Sequence, residues 1–381
     1  MRKDVLIVHH VTKGTTAGRN KFEYTESNFS VLEEVEAVAA ALKDIGLGYR
    51  IEGVERISDL PDVLDRGTEK IVFNLVEDLK GNIFDLCYVP AICRAYGRAC
   101  TGGDSPCLLL AQNKWLTKAA LRACGLPCPD GVIVPVGKKV DRAALNPGKY
   151  IVKPAFTDAS EGIDSKSIAE LPSESLNIAV ERIHKHLKQP ALVEQFIPSR
   201  ELNISLLQRA GNVKVLPLAE IDFSAFGDHC PRIVDYSAKW LPGSFAYDNT
   251  PRIIPAPLSE KTAQAVRTVA SRAWQVLGCQ DFARVDLRLD ENDNVFILEL
   301  NPNPDISPDA GFAAALTAAG ITFKEFVRIL LDNALARLGR EYSNNVLIKG
   351  DKTNEARQRK NTGDKCSLYT SGGQTQNLVD T

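Results

Sequence analysis

The residues from Asp281 to Pro304 read DFARVDLRLDENDNVFILELNPNP and constrain the fold more than any other stretch. Two apolar runs, one carrying Val285 and Leu287 and the other Phe296, Ile297, Leu298 and Leu300, flank the polar turn Asp290–Asn294, which predicts a β-hairpin. Residues two apart on a strand face the same way. Arg284 and Asp286 therefore share one face, and Glu299 and Asn301 share a face of the partner strand. If the two faces coincide, two carboxylates and an amide oxygen converge beside a guanidinium. Hard oxygen donors of that kind suit Mg²⁺, which keeps positions for water and for substrate phosphates. The arginine would then face the anion held there. The competing reading is an exposed hairpin with solvated charges, and it is weakened because these charges lie inside apolar runs.

Two further segments carry chemistry. Lys153 ends the apolar strand Tyr150–Val152 and is followed by Pro154. Beyond it, residues 156–162 (FTDASEG) form a small-residue loop that can close over phosphates through backbone N–H groups and a hydroxyl. Glu194, in Val193–Ile197, and Glu201 place two carboxylates around a strand–turn–strand. Such a pair can hold ribose hydroxyls or simply be solvated. His184 and His186 are two apart on a predicted helix and point to different sides, so they are poor joint ligands. His9 and His10 end the first strand facing opposite ways, and one of them is a candidate to line a cleft. His229 falls in a loop that could cover the site.

The pattern along the chain supports an α/β protein. Val5–Val8 reads as a strand, residues 30–45 as a helix with apolar Val31, Leu32, Val35, Val38 and Leu42, 71–76 as a buried strand, and 88–95 as a helix. Strands alternating with helices predict a parallel sheet over residues 1–110. A helix from 113 through 121, strands at 150–154 and 191–197 and a helix at 173–187 make a small α+β unit over 111–197. Residues 198–342 hold strands at 202–207, 213–221, 284–289 and 295–300, with helices at 259–277 and 322–338. Thr322 and Glu325 form a capping-box signature. The polar stretch 343–381 reads as a disordered tail.

A net charge of −2 gives no overall field to draw the chain to nucleic acid or an anionic membrane. No segment approaches the roughly 20 apolar residues of a membrane span, and the charged N-terminus precedes too short an apolar run for a signal peptide. A cytoplasmic protein is expected. The nine cysteines contain no CxxC pair and are expected to be reduced, mostly packed as small hydrophobes.

Taken in order, these pieces resemble the ATP-grasp superfamily and, within it, the D-alanine–D-alanine ligases, over roughly residues 70 to 340. The resemblance rests on Phe73-Asn74-Leu75, Gly81-Asn82, Thr101-Gly102-Gly103, Asn113-Lys114, Val152-Lys153-Pro154, Asp235-Tyr236-Ser237-Ala238-Lys239, Arg284-Val285-Asp286 and Glu299-Leu300-Asn301. It implies an ATP-grasp fold (α/β overall, with α+β subdomains) and a nucleotide held between the middle and C-terminal domains. Lys114, Lys153 and Lys239 would contact the phosphates of ATP. Glu194, Gln195 and Ile197 would line the adenine pocket, and Glu201 would hold the ribose. Asp286, Glu299 and Asn301 would hold Mg²⁺, with Mn²⁺ as a substitute. Arg284 would stabilise the oxyanion of the tetrahedral intermediate, assisted by Lys239 and by Ser160 of the lid. The implied reaction activates a small carboxylate as an acyl phosphate and couples it to an amine. A homodimer is possible, as is common in that family.

The departures cluster at the amino-acid pocket. The family's first-substrate glutamate has no counterpart in His9–Gly14, although Glu26 or Glu33 could take its place. The lid's serine pair is Ala159-Ser160, Trp240 replaces a tyrosine, and Asp305 adds an acid where an anionic acceptor would lie. An extra acid there is unfavourable unless something neutralises it. The expectation is therefore the family's chemistry with amino-acid-like partners, a divergent D-alanine–D-alanine ligase being the alternative. Biotin-type carboxylation lacks a biotinyl-lysine signature, and a non-catalytic ATP-binding protein would be expected to have lost metal ligands or the arginine.

Overall fold

The structure is a computed structural model that describes residues 4–11, 30–227 and 230–339. The chain divides into two compact units, residues 1–336 and 337–381, and the fold below is that of the first. The expected tail at 343–381, together with Glu26, His229 and Cys366, lies outside the described residues.

The first layer is a sheet of β1 (Val5–His10), β2 (Tyr49–Val54), β3 (Ile71–Leu75) and β4 (Ala99–Cys100) in the order β2-β1-β3-β4. Every neighbouring pair is parallel, as the alternation predicted. Helices α1 (Ser30–Ile45), α2 (Leu60–Asp65) and α3 (Val89–Ala95) supply the crossovers. Strand β2 escapes a sequence reading because only Val54 of its six residues is buried, so it has no apolar run. Two helices, α4 (Ser105–Ala111) and α5 (Lys114–Ala123), lead out of this layer. Asn113 caps α5, its side-chain oxygen accepting from the N–H groups of Trp115 and Leu116, both at 3.1 Å.

The second layer is antiparallel: β5 (Gly131–Val134), β6 (Gly148–Pro154), β7 (Ile168–Leu171) and β8 (Ala191–Gln195) in the order β5-β8-β6-β7. Helix α6 (Ser175–Leu187) packs on it through Leu176, Val180 and Ile183. His184 is buried on α6 with Nε2 3.1 Å from the Val134 carbonyl oxygen, and His186 is exposed, so the two do point apart.

The third layer holds β9 (Glu201–Arg209), β10 (Asn212–Val215), β11 (Ala219–Ile221), β12 (Arg252–Ile253), β13 (Phe282–Leu289) and β14 (Val295–Asn301). Its order is β12-β11-β9-β13-β14, with β10 paired to β9. The single strand expected over 213–221 is two strands. Pro217 has no N–H to donate to a ladder, and the chain leaves one stretch of β9 and rejoins it at another. Short helices α7 (Tyr236–Trp240) and α8 (Phe245–Asp248) precede β12. Helix α9 (Glu260–Leu277) buries Val266, Ala270, Ala273 and Trp274 against Val285, Leu287, Ile297 and Leu300. After α10 (Gly311–Ala318) a last helix begins at 323, where the Glu325 N–H donates to Thr322 Oγ1 at 3.1 Å, the threonine half of the capping box, while the Glu325 carboxylate accepts from Arg209 at 3.0 Å. Among the described residues no helix is long and apolar enough to cross a membrane.

Of the cysteines, Cys87, Cys93, Cys107, Cys128 and Cys279 are buried and unbridged, whereas Cys124 and Cys230 are exposed. The expectation of packed, reduced thiols holds for the buried ones.

Candidate active site

The hairpin forms with the anticipated faces together. Asp286 lies directly opposite Glu299, and Arg284 directly opposite Asn301. This alignment needs a β-bulge. Val295, Ile297 and Leu300 all point into the core, which a strict two-residue period forbids. The register slips between Asp286 and Leu287, leaving Leu298 as the extra residue on β14. Glu299 is thereby turned to the site rather than to the core, a common use of bulges beside active sites.

Arg284 grips Asp286 through two parallel hydrogen bonds, Nε to Oδ1 at 2.7 Å and Nη2 to Oδ2 at 2.9 Å. Asn203, opposite Asp286 on β9, donates from Nδ2 to Oδ1 at 2.8 Å. Burial alone would lower the Arg284 pKa, but Asp286 beside it outweighs burial and raises it. Burial likewise works against ionised Glu299. The surrounding Lys114, Lys239, Lys153 and Arg284 overcome it and hold the carboxyl down to about 2.

Three lysines flank the hairpin. Lys114 Nζ donates to Asp158 Oδ1 at 2.6 Å and to the Thr157 carbonyl at 2.8 Å, and stands 3.7 Å from Glu299 Oε2. Lys153 donates to Glu194 Oε1 at 2.6 Å. Lys118, which the motif reading passed over, lies 2.9 Å from Glu194 Oε2 and is 1% exposed. Glu194 is fully buried; burial opposes its ionisation, yet the two lysines hold its pKa below the usual value. The signal for Lys118 was present: Lys114, Thr117, Lys118 and Leu121 form one stripe at helical spacing, and all four are buried.

Glu201 is 3.4 Å from Arg288, a second residue the motifs omitted although it continues the Arg284, Asp286 face by one step. Burial raises the Glu201 pKa, and Arg288 opposes the rise. Arg288 also donates to the Ile197 carbonyl at 2.8 Å and stacks over the Phe196 ring, 5.0 Å from its centroid. Of the expected adenine contacts, Ile197 is buried and Gln195 exposed.

The loop at 156–162 is fastened at its middle to residues 234–240. Ser160 Oγ donates to the Val234 carbonyl at 2.8 Å, and Trp240 Nε1 to the Ala159 carbonyl at 2.9 Å. Ala159 and Ser160 both have positive φ, 56° and 59°, an unusual pair for residues with a Cβ. Asp158 in the same loop sits on Lys114. Lys239, on α7, bears electrostatically on both Glu299 and Glu201.

On the far side of Arg284 the charge balance reverses. Glu34, 2% exposed on α1, accepts from the Ile306 N–H at 2.7 Å and is hydrogen-bonded to Asp305. Burial, then Glu77, then Asp305 push its pKa well above the ordinary value. Burial and the charges of Asp305 and Asp158 push Glu77 up to about 8. Asp305 also accepts from the N–H and Oγ of Ser307, at 2.8 and 2.6 Å. Of the two acids anticipated, Glu33 is exposed and Glu26 lies outside the described residues; the acid found here is Glu34, in the apolar stripe of Val31, Val35 and Val38. His10, 4% exposed, accepts at Nδ1 from the Glu77 N–H at 3.3 Å.

Known proteins resemble this chain in sequence and in fold. Residues 141–332 match the family model of the D-ala D-ala ligase C-terminus. A D-alanine–D-alanine ligase of Marinobacter nauticus is 32% identical over 310 residues, 80% of this chain and 86% of that protein. The uncharacterised protein y4sG of Sinorhizobium fredii is also 32% identical, over 73% of this chain and 78% of its own length. The fold matches a crystal structure of D-alanine–D-alanine ligase from Bacillus anthracis complexed with ATP, with a TM-score of 0.67 and 16% identity over 89% of this chain and 99% of that one. The chain thus has the ATP-grasp fold and belongs to the D-alanine–D-alanine ligase family, ATP-dependent enzymes that form carbon–nitrogen bonds.

Proposed function

We propose that this ligase uses Mg²⁺-ATP to activate an amino-acid-like carboxylate as its acyl phosphate, which an amine then attacks. The observation that carries it is the pairing of Asp286 with Glu299 and of Arg284 with Asn301 across one hairpin, ringed by Lys114, Lys153 and Lys239. A carboxylate has no leaving group, and phosphorylation supplies one.

The donors Asp286, Glu299 and Asn301 are all oxygen, which fits Mg²⁺. In this reading Asn301 would supply the third protein oxygen beside the two carboxylates. The ion supplies charge neutralisation between the phosphates and the incoming carboxylate. Lys114 and Lys153 bind phosphate oxygens; Lys114 exchanges its present partner, Asp158, for them. Lys239 joins from α7. Arg284, held in plane by Asp286, presents its guanidinium to the oxyanion of the tetrahedral intermediate. Glu201, fixed by Arg288, receives the ribose hydroxyls, and the segment from Glu194 to Ile197 borders the base. The 156–162 loop excludes water from the acyl phosphate, with Ser160 and Trp240 setting its position against residues 234–240. In this reading residues 1–110 carry the substrate side, 111–197 the lid subdomain and 198–342 the catalytic subdomain.

Substrates other than two D-alanines are favoured because Asp305, hydrogen-bonded to Glu34, adds an acid where the acceptor's carboxylate would lie. The names of the relatives favour the second reading, D-alanine–D-alanine ligation itself. The test is ADP release from Mg²⁺-ATP with D-alanine alone against pools of amino acids and other amines. Saturable turnover with D-alanine alone selects the second reading; stimulation only by another pair selects the first. Silence in every pool would remove the catalytic proposal.

A further inference from the structure

Lys118 has no part in the chemistry above, yet at 1% exposure it is the most completely enclosed cation among the described residues. Its ammonium donates to the carbonyl oxygens of Ile297 at 3.2 Å and Leu298 at 2.7 Å. Those are the two residues at the bulge that turns Glu299 out of the core. A bulge leaves backbone groups outside the ladder, and a buried carbonyl without a donor is costly. The same ammonium lies 2.9 Å from Glu194 Oε2, and the other oxygen of that carboxylate holds Lys153 at 2.6 Å. One side chain on α5 therefore touches the strand that aims Glu299 and the carboxylate that aims Lys153.

We infer that Lys118 is a positioning residue that fixes the β14 bulge, and with it the direction of Glu299, while setting the Glu194–Lys153 pair. It contacts neither nucleotide nor substrate; it acts through Glu299 on the metal side and through Lys153 on the phosphate side. Lysine suits this place because a compact ammonium on a flexible stem can serve three acceptors arranged around a point, where a planar guanidinium cannot. The inference rests on the assignment of Glu299 as a metal ligand.

The test compares ATP affinity by calorimetry in Mg²⁺ and in EDTA, for the full chain and its variants. The ratio of the two dissociation constants isolates the metal side, since general loosening of the nucleotide site weakens both equally. In Lys118→Met the Mg²⁺ enhancement is expected to fall about tenfold, towards its value in Glu299→Gln, in line with the 10–100-fold typical of lost outer-shell support. ATP binding in EDTA should also weaken, through Lys153. In Glu194→Gln the enhancement should persist while binding in EDTA falls. If Lys118→Met does not fold, Lys118→Gln leaves Glu194 paired with Lys153 and keeps a donor for one carbonyl, but cannot serve all three acceptors, and a loss of enhancement is again expected. A wild-type enhancement in whichever of these folds overturns the role of Lys118 alone. An enhancement absent from the wild type, or untouched by Glu299→Gln, overturns the metal assignment and this inference with it.

Discussion

The two sides of Arg284 are built on opposite electrostatic plans. On the nucleotide side each acid has a cation at hand: Asp286 with Arg284, Glu194 with Lys118 and Lys153, Glu299 with Lys114, Glu201 with Arg288. The carboxyls of Glu194 and Glu299 consequently stay ionised despite burial. On the other side Glu34, Glu77 and Asp305 lie close together, and burial with mutual repulsion raises the pKa of Glu34 well above its ordinary value and that of Glu77 to about 8. The first arrangement keeps its charges paired across the ordinary pH range, which suits the phosphate and metal roles proposed for it. The second is one whose charge a ligand or a change of pH would alter. Chemistry common to a family can be fixed in the first while partner choice varies in the second.

The largest expected effect would break the nucleotide side. Glu299→Gln should lower ADP formation by about 1,000-fold, the upper range for removing one group that meets transition-state charge, with thermal unfolding nearly unchanged. Near-normal turnover would refute the metal assignment. Asp286→Asn should be as inactive but less stable, by about 3 kcal/mol, because Arg284 is left buried beside a neutral amide; urea denaturation distinguishes the two variants.

A smaller loss is expected from Lys239→Ala, about 100-fold in kcat with little change in stability, since α7 is short and the side chain only half-buried. A change confined to KM for ATP would instead make Lys239 a ground-state binder.

The smallest effects sharpen the substrate side. The folded-state pKa of Glu77 is raised from 4.5 to about 8, so the native state holds a proton that the unfolded chain releases near 4.5. Its contribution to stability is full below that value and is lost as pH rises through about 8. Glu77→Gln should therefore match the wild type at pH 5 and exceed it at pH 9, by about 3 °C in Tm. A constant offset at both pH values would show that Glu77 is not protonated in the fold. Glu299 predicts the reverse silence: held down to about 2, it should produce no step in ATP or Mg²⁺ binding between pH 4 and 9.

What the sequence determined by itself was local. The alternation in β13 put Arg284 and Asp286 on one face, the polar turn made the hairpin, Thr322 capped its helix, and the buried runs at β1 and β3 required a parallel layer. Each of these depends on neighbours a few residues away, where the periods of helix and strand hold. Tertiary structure decided the rest. Strict alternation from Val295 and Ile297 would have sent Glu299 into the core; the bulge at Leu298, held from α5, turned it outward. Pro217 divided one expected strand because two separate stretches of β9 needed partners. Glu34 meets Asp305 across 271 residues, and Lys118 meets Leu298 across 180, so neither contact has a local pattern to announce it. Each was visible only as a charge within an apolar stripe. A buried charge must find its partner wherever the fold brings one, and only the folded chain says where that is.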